Sequence, residues 1–181
     1  MSPNGDMSSP DAQQESFTLS DIVPQDPCNN EVLWEGVESA VRALALGEGE
    51  VYVVTGPAFI SAELDSLKGR VIVPTHIFKA VYTPSRNQAG AYWAPNDDSQ
   101  SGEAISIAQL RERTGIDPFP SLSESIKSER ADLPSPTPYR GCRLGGKHHH
   151  ESPQSPLDWY QRYHKTPWFR FILYELGLKQ R

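Results

Sequence analysis

Between residues 30 and 46 apolar side chains return at steps of three and four: Leu33, Val37, Ala40, Val41 and Leu44. That period gathers side chains on one face of an α-helix. It predicts a helix over residues 30–46, which Asn29 or Asn30 can cap and Gly47 can end. Upstream the period is two, with Phe17, Leu19 and Val23 on one parity of residues 16–23, the pattern of a half-buried strand that Pro24 stops. Downstream, strands are predicted at 50–55, 70–74, 76–82 and 89–94, separated by Gly, Pro, Ser and Asn turns. Their succession predicts a largely antiparallel sheet, and with the helices an α+β fold. A second helix is expected at 106–113, ending at Gly115, and Pro118 and Pro120 then interrupt regular structure.

Periodicity fades after Lys127. From residue 128 to 156 the chain holds five prolines and three glycines, the composition of a poorly ordered linker with little to bury. Ser155-Pro156 and Thr166-Pro167 each set a hydroxyl before a proline, which predicts short helices at 156–165 and 167–176. The expected organisation is a folded domain at 1–127, a Pro/Gly-rich linker at 128–155 and a basic, aromatic helical tail at 156–181. A length of 181 residues suits a single main core.

The net charge of -6 conceals an asymmetry. Residues 1–139 carry 9 Lys and Arg against 20 Asp and Glu, whereas residues 140–181 carry 8 against 3. Phosphate neutralisation needs basic side chains, so the acidic body argues against nucleic-acid binding and the tail argues for it. In that tail Trp159, Tyr160, Tyr163, Trp168 and Phe169 interleave with Arg162, Lys165 and Arg170, a mixture that stacks on bases and pairs with phosphates. Trp168, Phe171, Ile172 and Leu176 equally form a helix face that could pack on the domain. No apolar run approaches the roughly 20 residues of a membrane-crossing helix. The first twenty residues lack the basic and apolar regions of a secretory signal. Cys28 and Cys142 are too few and too distant in sequence for a zinc cluster or a disulfide framework, and are expected as free thiols. His148, His149 and His150 read as a solvated tract, and His76 is expected on the sheet.

Candidate chemistry lies on the first helix. Asn30, Trp34, Glu38 and Arg42 are spaced by four, a drift of about 40° per step on a helix of roughly 3.6 residues per turn. The ordinary reading of that stripe is an asparagine cap, a buried tryptophan and an i,i+4 ion pair.

The surroundings add a second reading. The run from Ser16 to Gln25, SFTLSDIVPQ, leads to Asn30, Trp34 and Glu38. Then follow Val54-Thr55-Gly56-Pro57, Val73-Pro74-Thr75-His76 with Phe78-Lys79, Pro95-Asn96, and Thr114-Gly115 with Phe119-Pro120. In that order, over about residues 1–126, these motifs resemble the DNA/RNA non-specific endonuclease family, the ββα-metal nucleases. The resemblance implies a ββα-metal motif with one Mg2+ (or Mn2+) bound by Asn30 and otherwise by water. It implies that Glu38 orients metal-bound water and that Arg42 stabilises charge on the phosphorane. The implied activity is hydrolysis of phosphodiesters in DNA and RNA with little sequence preference.

The pattern also departs from the family. Its general base is the histidine of an Asp-Arg-Gly-His motif that stands just before a stretch like Ser2-Pro3-Asn4-Gly5-Asp6-Met7, and the 181 residues do not contain that motif. With the base and the first strand of the motif missing, the chain as given is expected to be inactive or nearly so. The open edge beside residues 16–23 invites self-association. Asp21 stands where the family usually has an asparagine. The alternative expectation is a non-catalytic nucleic-acid-binding or interaction protein that retains the nuclease fold.

Overall fold

The structure is a computed structural model. It describes residues 22–67, 69–137 and 142, together with Ser9 and Asp11. The strand expected at 16–23, all but its last two residues, and the tail helices lie outside the described residues.

The first helix is longer and less regular than its period suggests. Helical structure is already present at Pro27 and Cys28, continues through a π-helical turn at Asn29–Trp34, and becomes the α-helix α1 at Glu35–Glu48. Gly47 lies inside α1, and Gly49, at φ 83°, ends it. Glu48 at that end is fastened to the next layer by the guanidinium of Arg86 (Nε to Oε1 2.8 Å).

Four strands form one antiparallel sheet: β1 (Tyr52–Ala58), β4 (His76–Thr83), β5 (Gln88–Pro95) and β6 (Glu103–Ile105), in the order β1-β4-β5-β6. Between β1 and β4 the chain makes a small separate hairpin of β2 (Ser66–Leu67) and β3 (Val71–Ile72). The strand expected at 70–74 is thus a two-residue piece of that hairpin, turned at Gly69 with φ 68°. After β6 comes α2 (Ile107–Thr114), closed by a capping box between Ser106 and Gln109 and by left-handed Gly115. A further helix, α3 (Glu124–Ser128), follows the two prolines.

Side chains alternate across a strand, so β4 feeds two cores. On one face Ile77 and Val81 pack with Leu33, Trp34, Val37, Val41 and Leu44 of the first helix and with Tyr92. On the other, Phe78 and Ala80 pack with Trp93, Ile105, Ile107 and Leu110, backed by Phe119, Leu122 and Ile126. Burying each large aliphatic or aromatic side chain contributes about 1.5–3 kcal/mol. The sheet is therefore stabilised from both faces.

The Pro-rich run reaches further into the domain than its composition suggests. Ala131 is buried, its N–H donates to the carbonyl of Ala89, and Leu133 packs on the core beneath α1. The Tyr92 hydroxyl donates to the Pro134 carbonyl at 2.7 Å. Two glycines make room for this strap. A Cβ on Gly90 would stand 3.2 Å from Ala131 Cβ, and one on Gly36 would stand 3.3 Å from the Thr137 backbone. Beyond it, Cys142 is disulfide-bonded to Cys28, with Cα atoms 5.2 Å apart, so the expectation of two free thiols is corrected. Separation in sequence misled: Thr137 already lies beside Gly36 of α1, and Cys142 is at Cys28, just before the π-turn.

Candidate metal centre

The approach to the first helix is rich in polar side chains that are nonetheless buried. Gln25, Asp26 and Asn29 are exposed by 2%, 1% and 0%, and Asn96 at the end of β5 by 9%. A buried polar group is costly unless it is hydrogen-bonded, and each of these is. The Asp26 carboxylate accepts from the N–H groups of Cys28 (2.8 Å) and Asn29 (3.3 Å), so Asp26, followed by Pro27, caps the helix in place of Asn29 or Asn30. Gln25 donates to the Asn29 amide oxygen at 2.6 Å, and Asn29 donates in turn to the Pro95 carbonyl at 2.6 Å. Asn96 accepts from the Asp26 N–H at 2.7 Å and donates to the carbonyls of Pro24 (3.0 Å) and Pro74 (2.9 Å). These bonds clamp the helix start to the ends of β4 and β5.

Asn30 stands on this clamped turn. Its backbone N–H reaches the Asp26 carbonyl at 2.8 Å, while its side chain is half-buried and has no hydrogen bond to another described residue. The turn that carries it is π-helical, with i→i+5 bonding. Its residues advance by less than the α-helical angle, so the regular 40° drift from Asn30 to Trp34 does not hold. Trp34 is in the core at 3% exposure, while Asn30 keeps access to solvent. π-turns within helices are frequent at functional sites.

Glu38, half-buried on α1, faces the sheet residue Lys79, with Nζ 3.7 Å from Oε1. The same ammonium lies over the Trp34 ring, 5.7 Å from its centroid. Arg42, one turn further on, is exposed, and its Nη1 donates to Ser39 Oγ at 3.5 Å. Sequence spacing put Asn30, Glu38 and Arg42 on one stripe, which the π-turn interrupts after Asn30, and gave no role to Lys79. The signal available was a lysine within the otherwise apolar strand His76–Thr83. The clamp residues Gln25, Asp26 and Asn96 were missed too, although Asp26-Pro27 is a helix-start pattern in its own right.

His76 is on the sheet, as expected, but on the face away from the first helix. Its ring stacks on Trp93 with centroids 4.6 Å apart, and Arg113 covers the same indole at 5.3 Å. Burial pushes its pKa below the usual histidine range against the opposing pull of the Asp97 carboxylate, so the ring is neutral at neutral pH.

Among the described residues no three His, Cys, Asp or Glu side chains converge into a metal cage. A cation at Asn30 would meet one neutral amide oxygen and water. Such a donor set suits a small, hard, well-hydrated divalent ion. Among the described residues no helix is long and apolar enough to cross a membrane.

An antiparallel sheet crossed on one face by a helix whose clamped first turn offers an amide to solvent defines an α+β protein of the ββα type. The sequence pattern of the DNA/RNA non-specific endonuclease family matches residues 1–125, and the chain belongs to that family. It is 32% identical to the mitochondrial nuclease EXOG of Danio rerio over 157 residues, covering 75% of this chain and 46% of that protein. It is 29% identical to a nuclease of Syncephalastrum racemosum over 157 residues, covering 73% and 48%. Over a shorter stretch of 80 residues it is 36% identical to human mitochondrial endonuclease G, covering 39% and 27%. The chain thus spans less than half the length of these relatives.

Proposed function

We propose that this protein is a metal-dependent endonuclease that hydrolyses phosphodiester bonds in DNA and RNA, with Asn30 as the direct protein ligand of Mg2+ or Mn2+. The observation that carries this reading is the half-buried Asn30 side-chain amide, held by no hydrogen bond to another described residue, on a turn whose neighbouring amides, Gln25, Asn29 and Asn96, are all spent on hydrogen bonds. When bound, the cation supplies charge stabilisation at the scissile phosphate and the leaving oxygen. Glu38 accepts a hydrogen bond from the attacking water and so orients it. Arg42 lends its guanidinium to the charge that develops on the phosphorane.

Because Asp26 and not Asn30 caps the helix, Asn30→Ala should leave the fold nearly unchanged while abolishing Mg2+ or Mn2+ binding measured by calorimetry. Unchanged binding would remove Asn30 from the site.

The proton acceptor is a separate question. His76 stacks on Trp93 across the sheet from Asn30, and the 181 residues contain no Asp-Arg-Gly-His. We therefore expect this chain to cleave plasmid DNA and RNA about 10²- to 10⁴-fold more slowly than the same chain joined upstream to a strand ending in that motif. Equal rates would mean that another residue serves as the base. The position of His76 also favours a second reading, a protein that binds nucleic acid or a partner without cutting. Binding without metal-dependent cleavage by either form would establish that reading.

A further inference from the structure

Lys79 is used by none of the chemistry proposed above, yet its ammonium stands 3.7 Å from Glu38 Oε1. It sits in the middle of β4, opposite Thr55 of β1 and Tyr92 of β5, and is only 2% exposed. Its neighbours in β4 on the same face, Ile77 and Val81, are fully buried members of the core beneath α1. Packing alone would be served there by an aliphatic side chain, because an ammonium taken out of water costs stability unless something compensates it. Among the described residues the face of the Trp34 ring, at 5.7 Å, and Glu38 Oε1, at 3.7 Å, help to compensate it. The second distance is longer than a direct hydrogen bond, so the link is chiefly one of charge. It acts from the protein interior outward, on a carboxylate whose own side chain is 22% exposed.

We propose that Lys79 is a positioning residue that keeps Glu38 ionised and turned toward its place on α1. The inference rests on the reading of Glu38 as the group that orients water. A carboxylate that must accept a hydrogen bond from water needs its charge, and partial burial works against that charge. An ammonium below it restores the balance. The Trp34 ring in turn limits where the ammonium can go, so a single tryptophan joins the Asn30 turn to the Glu38 pair. Arg42, one helical turn along α1, is a further charged group, and its Nη1 donates to Ser39 Oγ at 3.5 Å.

The test uses the full 181-residue chain with Lys79→Met, Lys79→Arg and Glu38→Gln. Side-chain carboxyl NMR, with Glu38→Gln identifying the resonance, should show the Glu38 titration midpoint rising by about one pH unit in Lys79→Met and staying close to the parent in Lys79→Arg. A midpoint unmoved in Lys79→Met overturns the inference, since a lysine kept only for packing would leave it alone. In Mg2+-dependent plasmid cleavage, Lys79→Met should lower kcat about tenfold or more with KM unchanged, and should lower it no further in the Glu38→Gln background. Additive losses also overturn it. If the parent chain shows no measurable metal-dependent cleavage, the kinetic comparison is made on the chain joined upstream to a strand ending in Asp-Arg-Gly-His; absence of cleavage there sinks the nuclease reading, while the titration still decides the link between Lys79 and Glu38. Should Lys79→Met not fold, Lys79→Gln removes the charge while keeping a donor and reads the same coupling.

Discussion

Gly56 of β1 lies opposite Phe78 of β4, and a Cβ built on it would stand 2.8 Å from the tip of that ring. Phe78 is 2% exposed and enclosed by Trp93, Ile107 and Leu110, so it has little room to swing away. Gly56→Ala should therefore cost about 1–3 kcal/mol in urea unfolding. Stability equal to the parent would show that the ring yields. This contact is invisible in the sequence, where Gly56-Pro57 reads only as a strand ending. The same limit applied to Lys79. A lone lysine in a strand suggests a solvent-facing position, and nothing local announces that a helix lies over it with a glutamate at the matching height. Glu38 and Arg42 were legible as neighbours because both sit on α1 and need only its period, whereas the π-turn breaks that period before Asn30.

Long elements showed through the sequence better than short ones. The first helix was recognisable because it repeats its period several times, and β4 and β5 because each is a largely apolar run of eight residues bounded by turn residues, whereas β6, with three residues, and α3, with five, offer neither signal. The π-turn was missed for a different reason: apolar spacing fixes which face is buried, not whether each hydrogen bond spans four or five residues. A helix as short as α3 is held by charges as well as by the packing of Ile126 on the core. Lys127, 3% exposed at its side chain, donates to Asp117 at 2.7 Å, and Glu124 receives both Arg111 (2.8 Å to Oε2) and Lys127 (3.4 Å). The hydrogen bond from Lys127 holds the Asp117 carboxyl below its usual range, and the one from Arg111 brings Glu124 down to about 2. Carboxylates depressed in the folded state stabilise it above their unfolded pKa and lose that contribution as pH falls through the folded one. For Glu124 that window runs from 4.5 down to about 2. Amide protection factors at residues 124–128, taken against the intrinsic exchange rate at each pH, should accordingly hold above pH 4.5 and fall across that window, ahead of those of β4 and β5. Simultaneous loosening of the central strands would show that the helix is held by something other than these carboxylates.

For the molecule as a whole, the most consequential departure from the sequence reading is the pairing of Cys28 with Cys142 across 114 residues. It joins the turn that carries Asn30 to the strap that lies over α1. Reduction should cost about 2–4 kcal/mol of stability by releasing the unfolded chain from that closure. A thermal scan with and without reductant measures this, and coincident transitions would show the bond to be idle. There is also a topological consequence. From residue 28 to residue 142 the backbone is closed into a covalent ring that contains every described strand. The segment after β1, where Phe59 and Ile60 are each 45% exposed, is an accessible place for a protease to cut. One cut there would open the ring without releasing a fragment. Electrophoresis of the nicked protein should then give one band without reductant and two with it. Two bands in both conditions would mean that the ring had never been closed. Where the surroundings oxidise thiols, this chain can lose a peptide bond and remain one molecule, and where they reduce them it cannot.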